Sequence, residues 1–118
     1  MKKIKCSLGR LSEIVNDGSP YVIYINRETS WVEISDSWPE ECEELIPTPY
    51  VDFLYSQNQA LGDYIWENDL VIPKGMSARG YLRRTGQLYD FYEYHNTILD
   101  EKMLDWCKEN QIIIEFVA

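Results

Sequence analysis

The sequence predicts an α+β fold in which a small antiparallel sheet packs against several helices and a long last helix lies at the centre. Three observations support this. The segments "YVIYIN" and "SWVEIS" are β-branched and aromatic and flank a polar turn; apolar residues recur at helical steps near the C-terminus; and "IIIEFV" is typical of a strand. With 118 residues, 45% of them apolar, we expect one domain spanning residues 1–118.

The N-terminal part is predicted to contain one helix and one hairpin. "SLGRLSEIVND" has apolar residues at helical spacing, begins at a capping Ser7 and stops at Asp17-Gly18, so we expect a short helix there. The two β-rich segments then form a hairpin over residues 21–35. Residues 36–49 contain three prolines and five acids, which predicts an irregular exposed connection, with one helical turn over residues 40–45.

The C-terminal part is predicted to be mostly helical. Apolar residues at three- and four-residue steps predict one amphipathic helix from Tyr50 to about Glu67. Ser77 is expected to cap a short helix that ends at Arg84. The last helix has the clearest apolar stripe, which consists of Leu88, Tyr92, His95, Leu99, Met103 and Trp106. We expect the closing strand to pair with the hairpin.

Charge divides the chain into unequal parts. Residues 28–73 contain eleven acids and no Lys or Arg, whereas residues 1–27 carry a net +3 and residues 74–118 a net −1, for a total of −9. Nucleic-acid binding depends on neutralising phosphates, so this acidity argues against general DNA or RNA binding and favours a protein partner with a basic surface. The chain lacks a membrane-length apolar run and a secretory pattern, so we expect a cytoplasmic protein.

Few residues offer catalytic or metal-binding chemistry. His95 is the only histidine, and its place in an apolar stripe favours packing over catalysis. The three cysteines are widely spaced, which predicts reduced thiols without a structural zinc site. A cluster of acids lacks the alternating ligands and glycine bend of a calcium loop, so we interpret it as an acidic surface: Asp36, Glu40, Glu41, Glu43 and Glu44. We predict no catalytic residues, metal or cofactor.

The stretch "ARGYLRR" gathers arginines in this acidic chain. In a helix, Arg79 and Arg83 are neighbours on one edge, with Arg84 beside them. We favour internal pairing with the acids of residues 28–73, and the alternatives are an anionic group on a partner or RNA. The candidate binding set combines these arginines with His95 and with nearby aromatic residues that are common at interfaces: Tyr81, Tyr89 and Tyr92.

The order of these elements resembles a bacterial family, the uncharacterised protein family zero-one-five-eight of the UPF series. The matching stretches are Arg79 to Arg84, Leu88 to His95, and Leu104 to Ile112. The last of these begins with "LDWCKEN". Tyr94-His95 replaces the arginine that follows the aromatic pair in that family. The resemblance implies a small cytosolic bacterial domain and no particular activity.

The leading functional hypothesis is a non-enzymatic, acidic module for protein interaction or regulation. One variant is an inhibitor, borne by a phage or a genomic island, whose carboxylates mimic nucleic acid. The competing class is an enzyme or a domain for an anionic or nucleotide-type ligand, with the arginine cluster acting as a clamp near His95. A pocket that unites these residues favours the ligand site, and a flat acidic-aromatic surface favours the binder. RNA association is the third hypothesis.

Overall fold

The computed structural model describes residues 1–117 as a five-stranded mixed sheet combined with four α-helices. The strands are β1 (Lys2–Cys6), β2 (Val22–Asn26), β3 (Trp31–Ser35), β4 (Leu45–Pro47) and β5 (Ile112–Phe116). The helices are α1 (Val51–Tyr55), α2 (Gln57–Glu67), α3 (Ala78–Arg84) and α4 (Leu88–Glu109), and a 3₁₀ turn covers Leu11–Ile14. The predicted α+β class is therefore confirmed, with α4 as the longest element.

The sheet differs from the prediction in its topology. Its strand order is β4-β2-β3-β1-β5, and the hairpin of β2 and β3 is antiparallel as predicted. However, β1 lies between β3 and β5 and is parallel to both, so the sheet is mixed and β5 does not pair with the hairpin. The sequence "KKIKC" gave little sign of a strand, because only Ile4 and Cys6 alternate as buried apolar residues among three lysines.

Two predicted helices are wrong in extent. The first helix is only the 3₁₀ turn, because Arg10 before it and Val15 after it are both extended. The helix predicted from Tyr50 to Glu67 is split at Ser56, which is extended (φ −66°, ψ 155°) and separates α1 from α2. The Ser56 hydroxyl accepts a hydrogen bond from the Gln59 backbone N–H, so the break supplies the cap of α2. The turn predicted over residues 40–45 is also wrong, since this loop leads directly into β4.

The short helix α3 agrees with its prediction. Ser77 precedes it, and its hydroxyl accepts a hydrogen bond from the Gly80 N–H at 3.0 Å. Gly86 follows the helix with φ of 75°, a left-handed conformation that glycine adopts without the strain a Cβ would cause. The structure therefore confirms both the start and the end of this helix.

The buried stripe of α4 agrees with the prediction in its middle and differs at its ends. His95, Leu99 and Met103 are buried as expected, whereas Tyr92 is 37% exposed and Trp106 is only partly buried. The full buried set repeats every four residues: Phe91, His95, Leu99, Met103 and Cys107. The helix packs against α1 and α2 as well as β5, so no single partner dictates which side is buried along its whole length.

The molecule is elongated, with principal extents of 53 × 26 × 25 Å. An elongated shape leaves more surface per residue, and several large apolar side chains are correspondingly exposed, including Phe53 and Trp66 at 82% and 83%. Within residues 1–117, no helix combines the length and apolar character that crossing a membrane requires.

Candidate functional site

The predicted arginine cluster lies on α3, where no acidic side chain of residues 1–117 forms a salt bridge with it. Arg79 donates a hydrogen bond to the Gln57 side-chain oxygen at 2.8 Å, and Arg83 and Arg84 are exposed in the last turn of the helix. None of the three forms a salt bridge within residues 1–117. The favoured explanation, internal pairing with the acids of residues 28–73, is therefore wrong for the described part of the chain. Positive charge at the C-terminal end of α3 is compatible with the helix dipole.

The arginine that does pair internally is Arg10. Its Nε and Nη2 donate to one carboxylate oxygen of Asp100 at 3.0 and 2.5 Å, and its Nη1 donates to Glu93 at 2.9 Å. The second oxygen of Asp100 accepts the backbone N–H of Ser12 at 2.7 Å. The hydrogen bond to Asp100, followed by that to Glu93, raises the pKa of Arg10. This network joins the 3₁₀ turn to α4.

A polar cavity of about 580 Å³ brings together part of the predicted anion clamp. Arg79 and His95 both line it, together with Asp17 and Asp52, whereas Arg83 and Arg84 do not. Two carboxylates beside a single arginine leave this wall without a net positive charge. The four-residue clamp predicted from sequence is therefore reduced to one arginine and one histidine.

His95 is held by packing and by one backbone hydrogen bond. It is 3% exposed, and its Nε2 lies 2.7 Å from the Tyr55 carbonyl oxygen. A carbonyl only accepts, so Nε2 carries the proton in this contact. The ring also stacks on Phe91, with centroids 6.5 Å apart and an interplanar angle of 9°. These contacts agree with the interpretation of His95 as a packed residue.

The predicted aromatic binding residues lie outside the polar cavity. Tyr81 is partly buried in α3, Tyr89 is 76% exposed at the start of α4, and Tyr92 packs against Phe91 with centroids 5.6 Å apart. None of them lines the polar cavity. The cavity therefore contains only Arg79 and His95 of the binding set predicted from sequence.

The predicted acidic surface is an exposed loop beside the sheet. All five of its carboxylates are exposed: Asp36, Glu40, Glu41, Glu43 and Glu44. Three of them, Glu40, Glu41 and Glu43, border a cleft of about 700 Å³ together with Tyr24 and Trp38. Trp38 also contacts Tyr50 edge-on, with ring centroids 6.5 Å apart. We call this region the loop cleft.

A second acidic surface, not predicted from sequence, lies between α2 and α4. This groove of about 490 Å³ is lined by Tyr55, Asp63, Trp66, Glu67, Tyr94, Ile98, Glu101, Lys102 and Asp105, and we call it the helical groove. Its four carboxylates are exposed, and on each helix two of them are one turn apart, about 6 Å along the axis. Within residues 1–117, neither Glu101 nor Asp105 forms a salt bridge. Both carboxylates are free to bind a cation.

Two tyrosines, Tyr55 and Tyr94, line the helical groove. The Tyr55 hydroxyl donates a hydrogen bond to Asp63. Burial, and then the neighbouring carboxylates, raise the pKa of both phenols. Both phenols therefore stay neutral, and the Tyr55 hydroxyl holds Asp63 in place.

The helical groove already holds a cation of the chain itself. The Lys102 Nζ lies over the Tyr55 ring, 5.6 Å from its centroid. An ammonium over an aromatic face and near carboxylates is the environment in which proteins accept lysine and arginine side chains. The spacing of Asp63 with Glu67, and of Glu101 with Asp105, is the sequence signal that could have indicated this surface.

Metal chemistry has no preformed site in this part of the chain. Among residues 1–117, no group of three or more His, Cys, Asp or Glu side chains is placed to hold a metal ion.

Comparison with known proteins adds no relative. No family model, no curated protein and no solved structure matches this chain. The resemblance to the uncharacterised family zero-one-five-eight stays a prediction.

Proposed function

We propose that this protein is a non-enzymatic binding module that captures a lysine- and arginine-rich segment of a partner protein in the helical groove. The observation that carries the proposal is the Lys102 ammonium, which lies over Tyr55 in a groove whose other charged lining residues are all carboxylates. A basic side chain of a partner would find the same combination of an aromatic face and carboxylates along the rest of the groove. The net charge of −9 would also speed the approach of such a partner.

The contact residues have distinct roles in this proposal. Glu101 and Asp105 are free to accept hydrogen bonds from guanidinium or ammonium groups, since they make no ion pair within residues 1–117. Trp66 at the rim is 83% exposed, and its indole can cover the stem of a bound side chain. Asp63 is held by the Tyr55 hydroxyl, and Glu67 adds a second negative charge one turn further along α2.

The test is a binding titration with a short synthetic peptide rich in Lys and Arg, followed by fluorescence anisotropy at near-physiological salt. We expect the double variant Glu101→Gln/Asp105→Asn to bind about tenfold more weakly, a loss of about 1.4 kcal/mol. The matched control is Glu40→Gln/Glu41→Gln in the loop cleft, which changes the net charge equally. The control is expected to keep most of the affinity.

Each result has a definite meaning. If both double variants lose affinity equally, binding follows net charge and the helical groove is not the site. If the unaltered protein does not bind the peptide even at low salt, the proposed function is wrong. If the peptide titration supports the helical groove, a pull-down from host lysate, with and without nuclease, then identifies the natural partner.

A second candidate is a site for a small anion in the polar cavity, because Arg79 and His95 both line it. The guanidinium of Arg79 makes no ion pair within residues 1–117 and is the group that would contact a carboxylate or phosphate. Thermal unfolding with and without inorganic phosphate tests this candidate. A stabilisation that disappears in Arg79→Met supports it, and no stabilisation in the unaltered protein rejects it.

A further inference from the structure

The two edges of the sheet are protected to different degrees. The edge strand β4 has three residues, ends in Pro47 and follows the acids of the loop cleft. The opposite edge strand, β5, has five residues, no proline and a single charged residue, Glu115. Soluble proteins usually shorten, charge or cover an edge to prevent pairing with other chains. The β4 edge is therefore the better protected of the two.

The hydrogen-bonding groups of β5 point alternately toward β1 and away from it. The Lys2 N–H donates to the Gln111 carbonyl at 3.1 Å, and the Val117 N–H donates to the Cys6 carbonyl at 2.8 Å. Alternate residues of a parallel strand bond to the same neighbour, so the odd-numbered residues of this segment face β1. Ile112, Ile114 and Phe116 therefore direct their N–H and C=O groups to the outer edge, where no other strand of residues 1–117 pairs.

Apolar surface accompanies these backbone groups. A cavity of about 310 Å³ opens beside β5, with Leu11, Leu104 and Ile112 among its lining residues. Leu104, Ile113 and Phe116 are each between 43% and 46% exposed. The edge thus combines free backbone donors and acceptors with uncovered apolar side chains, which is the combination that added strands use.

We propose that β5 pairs with β5 of a second copy of this chain, antiparallel and around a two-fold axis at Ile114. The three outward-facing residues are symmetric about this point, so Ile112 lies opposite Phe116 of the second copy and Ile114 opposite Ile114. Each of these pairs can exchange both backbone hydrogen bonds. Phe116 of each copy then packs beside the apolar cavity of the other, as an isologous contact requires.

Charge opposes the approach of a second copy less at the β5 edge than at the β4 edge. The strand order puts β4 and the acidic loop at one edge of the sheet and β5 at the other, so two copies joined at β5 keep their acidic loops far apart. Beside β5, strand β1 carries three lysines, and Lys5 is the register partner of Glu115. A chain with a net charge of −9 can therefore self-associate here without strong repulsion.

The register gives a charge-specific test. Ile113 would lie opposite Glu115 of the second copy, and like charges directly opposite each other destabilise a sheet. In sedimentation equilibrium we expect the unaltered protein at twice the chain mass of 14.0 kDa. We expect Ile113→Glu to shift to the chain mass and Ile113→Lys to remain a dimer. Ile34→Glu is the matched control, because Ile34 is 50% exposed but lies in the internal strand β3, and it should remain a dimer.

Several outcomes would overturn the proposal. A monomer at every concentration would overturn the pairing of β5 with a second copy. Equal behaviour of Ile113→Glu and Ile113→Lys, or dissociation of Ile34→Glu, would contradict pairing in this register. Circular dichroism of each variant confirms that it is folded, so that a monomer is not mistaken for an unfolded chain.

A covalent cross-link tests the two-fold axis independently of stability. Directly opposite residues in such a pair have Cα atoms about 5.5 Å apart, within the range of a disulfide. We expect Cys42→Ser/Ile114→Cys to form a disulfide-linked dimer on mild oxidation, since the exposed Cys42 is removed and Cys6 and Cys107 are buried. The control Cys42→Ser/Ile34→Cys should remain uncross-linked. Failure of the Ile114→Cys cross-link would contradict the axis.

Discussion

The two faces of α4 differ in what they determine. One face contains the buried residues that repeat every four positions from Phe91 to Cys107, and these contact the other helices and the sheet. The face toward α2 contains exposed carboxylates, including Glu101 and Asp105 in the helical groove. Burial stabilises the fold, whereas exposed charges contribute little to it. The acidic face can therefore be specialised for binding without loss of the fold.

The largest effect is expected from breaking the buried face with Phe91→Ala. Phe91 is fully buried and packs edge-to-face with Tyr64, with ring centroids 5.7 Å apart. Removing such a ring leaves a cavity and costs about 3–5 kcal/mol of unfolding free energy. Urea denaturation followed by circular dichroism measures this loss. Tyr89→Ala, on the same helix but 76% exposed, is the matched control and should change stability by less than about 0.5 kcal/mol.

Much of the fold was predictable because it is encoded by local patterns. The hairpin, the cap at Ser77 and the middle of the α4 stripe each depend on residues close together in the sequence. The parallel pairing of β1 with β5 joins the two ends of the chain, and no local pattern specifies it. The break at Ser56 was missed because the apolar spacing continues across it. At the break, the Ser56 hydroxyl accepts a hydrogen bond from the Gln59 N–H and caps α2.

The site was less predictable than the fold. Sequence grouped the acids of residues 28–73 as one block, although Asp63 and Glu67 belong to a surface completed by Glu101 and Asp105 from a nearly neutral segment. Likewise, the clustered arginines have no ion pairs within residues 1–117, while the isolated Arg10 has two. The clustering of charges along the sequence thus did not indicate which charged residues form ion pairs or share a surface.

The second effect is a pH dependence of stability that arises on the buried face. Burial raises the pKa of the Cys107 thiol to about 11, above its unfolded value of about 8.5. The folded state retains the proton, so the contribution of this thiol to stability is complete below about pH 8.5 and is lost as the pH rises toward 11. A pKa difference of about 2.5 corresponds to roughly 3 kcal/mol at the alkaline limit. We expect stability to fall between pH 8.5 and 10.5, and less steeply in Cys107→Ala.

Urea denaturation under reducing conditions at several alkaline pH values measures this slope. Cys42→Ala is the control, because Cys42 is exposed, and it should retain the slope of the unaltered protein. The raised pKa values of the buried tyrosines Tyr55 and Tyr64 act in the same direction and leave a residual slope in every variant. Identical slopes for the two alanine variants would show that Cys107 is not shielded as its burial indicates.

The smallest effects concern the boundary between the two faces, where Arg10 binds Asp100 and Glu93 of α4. We expect Arg10→Met to lower the unfolding free energy by about 1–2 kcal/mol, because two charge-assisted contacts are lost while solvent still screens the partly exposed carboxylates. Arg83→Met removes the same charge from an exposed residue of α3 that forms no salt bridge within residues 1–117. It should change stability by less than about 0.5 kcal/mol. Equal losses for the two variants would mean that net charge, and not the contact with α4, determines the effect. The Arg10 contacts would then add no specific stability at the boundary between the two faces of the helix.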